Sequence, residues 1–129
     1  MELVEGELIK DFLEKATKKS RSELCLKIGK IVSKLHQAGI VHGDLTTSNM
    51  ILRGGEVCLI DFGLAEKSDR TEDKAVDIHL FKQALISKHS SFWEYCFKAF
   101  VEGYSVEGRT KDVFERLKKI EKRGRYSKR

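Results

Sequence analysis

The sequence predicts a mainly α-helical domain built around one short β-hairpin, and three observations carry that expectation. Apolar residues recur at helical spacing in five stretches, around residues 8–16, 24–35, 76–85, 92–100 and 113–120. Two shorter runs, 50–52 and 57–60, are apolar on both faces and flank Gly54-Gly55, a turn signal between strands. A length of 129 residues, with 40% apolar and 35% charged side chains, suits one domain with a true core and a well-solvated surface.

Taken in order, Leu8, Ile9, Phe12, Leu13 and Ala16 mark a short amphipathic helix, and the polar run 17–22 reads as a loop after it. Ser20 with Glu23 fits a capping box. It opens a helix whose Leu24, Ile28, Ile31, Val32 and Leu35 share one face and which Gly39 stops. That helix delivers the polar loop at His42 to a fixed place. After Gly63 the composition turns polar through Thr71, a stretch expected to be short and mobile. Val76, Leu80, Phe81, Ala84 and Leu85 resume helical spacing. Ser91 and Glu94 then suggest a second capping box before an aromatic-rich helix ending at Gly103. Val113, Phe114, Leu117 and Ile120 mark a last helix, which is expected to give way to a basic tail over 122–129.

No apolar run approaches the roughly 18 residues that span a bilayer, and Met1-Glu2-Leu3-Val4-Glu5 lacks the basic start and apolar centre of a signal peptide, so a soluble, intracellular protein without a membrane partner is expected. Cys25, Cys58 and Cys96 are odd in number and set among apolar neighbours. They suggest small core residues and not a disulfide framework or a zinc site. The net charge of +5 is compatible with an RNA or acidic-protein partner, although a solvated basic tail explains much of it.

The chemistry lies between His42 and Gly63. His42-Gly43-Asp44 is followed by Asn49, then by the hairpin, and the returning strand ends on Asp61-Phe62-Gly63. A hairpin there would gather Asp44, Asn49 and Asp61. Phosphoryl transfer requires little more of a protein than an acceptor that orients the attacking hydroxyl and hard oxygen ligands for Mg²⁺ on a nucleotide phosphate. Asp44 suits the first role; Asn49 and Asp61 suit the second. Each residue alone is ordinary in a turn, but His-x-Asp-x-x-x-x-Asn, a hairpin and Asp-Phe-Gly together match protein kinases in order and context. For His42, a buried structural imidazole is the better reading.

With Thr46-Thr47-Ser48, Leu64-Ala65 and Glu72-Asp73-Lys74-Ala75-Val76-Asp77 added, the chain resembles the atypical kinase/ATPase subunit of the KEOPS (EKC) complex, the PRPK family. The resemblance implies a kinase-like C-terminal lobe over 7–121, a hinge-like segment over 1–6 and the basic tail, with the N-terminal lobe absent. It also implies ATP and Mg²⁺ as cofactors, and ATP hydrolysis or Ser/Thr phosphorylation in support of threonylcarbamoyl modification of tRNA adenosine. The implied partners are a Kae-type subunit and the other KEOPS subunits, with tRNA held through the tail, in the cytoplasm or also the nucleus. By position, Asp44 is the catalytic aspartate and Asn49 and Asp61 the metal ligands; Ile51 floors the adenine, and Glu2 and Leu3 line the hinge. Asp77 resembles the helix aspartate that braces the catalytic loop, although an acid near a helix N-terminus is also ordinary.

The departures narrow the reading. Gly43 stands where conventional kinases carry an arginine, Thr46 replaces their phosphate-facing lysine, and no Ala-Pro-Glu follows Gly63. The sequence begins at the hinge, without a Gly-rich loop or a phosphate-binding strand lysine. The chain alone is therefore expected to bind ATP weakly and turn it over slowly. Two other readings compete: an inactive truncated scaffold that binds a partner protein and tRNA, and another small phosphotransferase of Rio or antibiotic-kinase type.

Overall fold

The computed structural model describes residues 6–127, with side chains as far as Arg123. The short strand β1 (Glu7–Leu8) leads into α1 (Ile9–Lys15), and the long helix α2 (Lys18–Gln37) follows after a two-residue break. Thr17, and not Ser20, is the N-cap of α2: its Oγ1 accepts the Ser20 amide at 3.1 Å. The run 17–22 is thus mostly helix, because a Thr three residues before Ser20 already meets one of the orphan amides of the first turn. At the other end Gly39 takes a φ of +78°, as expected of the residue that ends a helix.

The buried stripe of α2 is Leu24, Cys25, Ile28, Gly29, Val32, Ser33 and His36, whereas Ile31 and Leu35 of the expected face lie half-buried on its flank. The rotation follows from the two glycines that join α2 to α4 (Trp93–Gly103). A Cβ on Gly29 would stand 2.2 Å from the Phe100 carbonyl oxygen, and one on Gly103 2.2 Å from that of Leu26, so the helix backbones touch there. Helix α4 starts at Trp93 with no side-chain cap; Ser91 does not serve. Its start is set by burial of Phe92, whose ring lies 3.6 Å from the Arg21 guanidinium carbon.

Strand β2 (Ile40–Val41) comes after α2, and the hairpin is β3 (Met50–Arg53) and β4 (Glu56–Leu59), joined by Gly54-Gly55 with φ of +56° and +81°. Both central residues are left-handed, as a tight primed turn requires. β1 adds to the outer edge of β3, giving the sheet order β1-β3-β4. Beyond Gly63, the segment expected to be mobile carries strand β5 (Glu66–Lys67), which pairs antiparallel with β2, and α3 (Thr71–Lys88) begins after a three-residue break. Ser68 donates its amide to the Gly39 carbonyl at 2.8 Å and its hydroxyl to Asp73 at 2.6 Å. The stretch is short enough for these links to hold most of it.

Helix α3 buries Lys74 and Asp77 along with Ile78, Phe81 and Leu85, and leaves Val76 on the outside. The wholly buried Lys74 ammonium reaches Asp69 at 2.8 Å, and Arg109 Nη1 reaches the same carboxylate at 2.8 Å. Those two cations, Lys74 first, hold the Asp69 carboxyl below the usual carboxylate range. A depressed folded pKa stabilises the fold above the ordinary value near ~4, and that contribution is lost as the pH falls through the folded value. Asp69→Asn is therefore expected to lower the melting temperature at neutral pH, and the gap to wild type should close in acid below about pH 4. A gap independent of pH would contradict the pairing.

Helix α5 (Thr110–Ser127) continues through most of the expected tail, since Lys and Arg are good helix formers and cations favour a helix C-terminus. Cys25 and Cys96 are buried and Cys58 half-buried, all as free thiols. Among the described residues no helix is long and apolar enough to cross a membrane.

Candidate active site

The loop between β2 and β3 is fixed before any ligand is considered. His42 is fully buried; its Nε2 donates to the Ile60 carbonyl at 2.8 Å and its Nδ1 accepts the Asp44 amide at 3.1 Å. With both nitrogens engaged in backbone contacts, the imidazole is a structural post, as expected. Asp77 completes the anchor: Oδ2 accepts the His42 amide at 2.8 Å and Oδ1 the Gly43 amide at 2.9 Å. Its Oδ2 also lies 2.8 Å from His36 Nε2, while His36 Nδ1 lies 2.6 Å from the Tyr104 hydroxyl. Burial, and then the Asp77 charge, push the Tyr104 phenol well above its ordinary value, so it stays a donor to Nδ1 and His36 carries its proton on the Asp77 side. Asp77 thus braces the loop through both carboxylate oxygens.

Gly43 has a φ of +88°, and a Cβ there would stand 2.4 Å from the Leu64 carbonyl oxygen. The arginine of conventional kinases has no place at this backbone. The segment after Asp-Phe-Gly crosses directly above position 43 instead.

Asp44 and Asn49 are brought together. Asn49 Nδ2 donates to the Asp44 backbone carbonyl and to Asp44 Oδ2, both at 2.9 Å, across the 3₁₀ turn Thr47–Asn49. With Nδ2 committed, Oδ1 is the atom Asn49 has left for a cation. The hairpin ladder extends one step into the loop, the Ile60 amide donating to the Asn49 carbonyl at 2.9 Å, so Asp61 follows directly on the residue paired with Asn49. Regular alternation would put side chains 49 and 61 on opposite faces of the hairpin. Asp61 breaks it with a φ of +59°, the one non-glycine residue among those described with a positive φ. Its side chain is exposed and hydrogen-bonds to no described residue. Asn49 Oδ1 and the Asp61 carboxylate are hard oxygens, and a pair of them suits Mg²⁺, which keeps waters and takes phosphate oxygens for its other positions.

Ile51, on β3, is half-buried and packs under the start of the described chain: a Cβ on Gly6 would stand 2.5 Å from Ile51 Cγ2. Glu2 and Leu3 lie outside the described residues. Phe62 packs on His42 with ring centroids 4.8 Å apart and, like Leu64, stays exposed. Sequence reasoning missed His36, Tyr104 and His89. A histidine in register with Ile28 and Val32 on an apolar helix face was a usable signal for a buried polar partner. Nothing local marked the other two.

A hairpin that returns Asp61 beside a braced Asp–Asn loop, seated on a helical base, defines the lower half of a protein kinase fold. The chain belongs to the protein kinase family, whose protein kinase domain matches residues 1–88. Among its relatives is the protein named KEOPS complex subunit Bud32 of Pyrococcus abyssi, 48% identical over 132 residues that take in 100% of this chain and 60% of that protein. The probable serine/threonine-protein kinase BUD32 homolog of Archaeoglobus fulgidus is 40% identical over 129 residues, 100% of this chain and 62% of that protein. A probable bifunctional tRNA threonylcarbamoyladenosine biosynthesis protein of Methanothermobacter thermautotrophicus is 43% identical over 129 residues, 98% of this chain but 22% of that larger protein. The chain thus spans about three fifths of the length of the first two.

Proposed function

We propose that this chain supplies the hydroxyl-orienting and metal-holding half of an ATP-dependent phosphotransferase or ATPase that works within a KEOPS-type assembly supporting tRNA threonylcarbamoyladenosine modification. The observation that carries the reading is the Asn49 amide bound twice to Asp44, which aims one residue as acceptor and leaves the other's Oδ1 beside the Asp61 turn. When bound, Mg²⁺ would screen the charge of the nucleotide phosphates; Asn49 and Asp61 would hold it and Asp44 would orient the attacking hydroxyl or water. Ile51 would lie under the adenine, with Glu2 and Leu3 along its edge. The relatives' names support the KEOPS setting and the link to tRNA threonylcarbamoyladenosine biosynthesis; the Kae-type partner is part of the proposal.

In a complex reconstituted with a Kae-type partner, Asp44→Asn should lower ATP turnover by about 100-fold or more while assembly persists. Equal turnover would reject the assignment. The scaffold reading makes the opposite prediction, that tRNA modification is untouched by the same change.

For tRNA, Arg116, Lys119, Lys122 and Arg123 line one shallow depression on α5. If Lys119 and Lys122 touch phosphates, replacing both with Ala should flatten the slope of log affinity against log salt by roughly 1.5–2. An unchanged slope would place tRNA elsewhere.

A further inference from the structure

Helix α3 reaches the catalytic loop twice. Asp77, in its first half, takes the amides of His42 and Gly43, and His89, the residue that caps its C-terminus, meets Thr47. Twelve residues of helix, ~18 Å, separate the two contacts. The His89 side chain is wholly buried, with its ring centroid 5.4 Å from that of Phe92. Nδ1 lies 2.6 Å from Glu14 Oε2 and Nε2 lies 3.0 Å from Thr47 Oγ1. An ionised carboxylate only accepts, so Glu14 places a proton on Nδ1 and frees Nε2 to accept the Thr47 hydroxyl. Thr47 is itself fully buried and opens the 3₁₀ turn whose last residue, Asn49, holds Asp44.

The geometry points to His89 as a positioning residue: with its tautomer set by Glu14, it fixes Thr47 and thereby the turn that aims Asn49 at Asp44. One helix then pins both ends of the loop, by a carboxylate at the entry and an imidazole at the exit. The catalytic consequence rests on the phosphoryl-transfer reading above; the control of the loop does not.

Two pairs of substitutions separate this role from plain core packing. His89→Gln carries an amide about as far as Nε2, keeping a partner for Thr47 and giving up Glu14; His89→Asn reaches only as far as Nδ1 and does the reverse. Thr47→Val removes the hydroxyl at constant shape, and Thr47→Ser keeps it. The backbone amide of Asn49, hydrogen-bonded to the Thr46 carbonyl at 3.0 Å, reports the turn by hydrogen exchange in the full 129-residue chain. Exchange there should rise about tenfold in His89→Asn and Thr47→Val, and stay within about twofold of wild type in His89→Gln and Thr47→Ser. In the reconstituted complex the first two should lose about tenfold in kcat with KM for ATP little changed. Exchange that is equal in all four variants, or unmoved in His89→Asn or Thr47→Val, overturns the assignment, and Thr47→Val decides the matter if a His89 variant fails to fold. If Asp44→Asn leaves turnover intact, the reaction reading fails while the exchange result still decides the role of His89.

Discussion

Asp77→Ala is expected to cost about 3–5 kcal/mol of folding stability and to abolish turnover in any assembly that forms. Asp77 is 1% exposed and its carboxylate receives the His42 amide, the Gly43 amide and the His36 ring, so truncation leaves two buried donors and one part-buried donor facing a cavity. An unsatisfied buried donor costs roughly 1–3 kcal/mol, and the sum is reduced where water enters or the loop relaxes. Against a total stability on the order of 5–15 kcal/mol, the loss is large enough to populate unfolded chain. Asp77→Asn keeps the shape but turns an NH₂ toward a donor; it should fall between the two, at about 1–3 kcal/mol. Chemical denaturation of the three proteins measures this series. Asp77→Ala within about 1 kcal/mol of wild type would mean that the bonds of Asp77 do not brace the loop.

The second large effect lies in the seam between α2 and α4. In Gly29→Ala the new methyl would meet the Phe100 carbonyl oxygen at 2.2 Å and the Tyr104 amide nitrogen at 3.0 Å. These are backbone atoms of a packed helix, and they yield only if α4 moves as a body. Alanine gains roughly 1 kcal/mol of helix propensity over glycine, whereas overpacking of a rigid seam costs roughly 1–3 kcal/mol and sometimes more. The seam also carries Ser33, which donates to the Gly29 carbonyl at 2.8 Å and accepts the Ser105 amide at 2.6 Å, and Tyr104, which holds His36. Displacement of α4 would loosen the chain of bonds that ends at the catalytic loop, so the expected net loss is about 3 kcal/mol, near the upper end of that range. Gly39→Ala is the control. Its φ of +78° disfavours a side chain by roughly 1–2 kcal/mol, but nothing lies within 4 Å of the added methyl. Equal losses in the two variants would show that helix contact contributes nothing at Gly29.

How much of this was legible from sequence depended on how local the deciding interactions are. The hairpin followed from Gly54-Gly55 between apolar runs, the end of α2 from Gly39, and the meeting of Asp44 with Asn49 from their spacing ahead of the hairpin that ends at Asp61. All of these are written within a few residues. The start of α2 was missed by three residues because Thr17 caps first. The apolar spacing of Val76, Leu80, Phe81, Ala84 and Leu85 marked α3 but not the burial of Lys74 and Asp77 in it, because Lys74 finds Asp69 and Asp77 finds the loop, which makes burial of charge possible where hydrophobicity alone would refuse it. β5 is two residues long and exists by pairing with β2, so no local pattern announces it. His36 with Tyr104 and Thr47 with His89 join positions 68 and 42 residues apart. Histidines become anchors only once a fold brings their partners, and single-sequence spacing does not carry that information.

The central claim, that Asn49 and Asp61 hold the metal of a bound nucleotide, is tested most directly by replacing Mg²⁺ with paramagnetic Mn²⁺ and recording amide relaxation of the chain with ATP in excess. Broadening should centre on Asn49 and Asp61, extend to Asp44, and largely vanish in Asp61→Ala. Broadening centred elsewhere, or unchanged in Asp61→Ala, would contradict it.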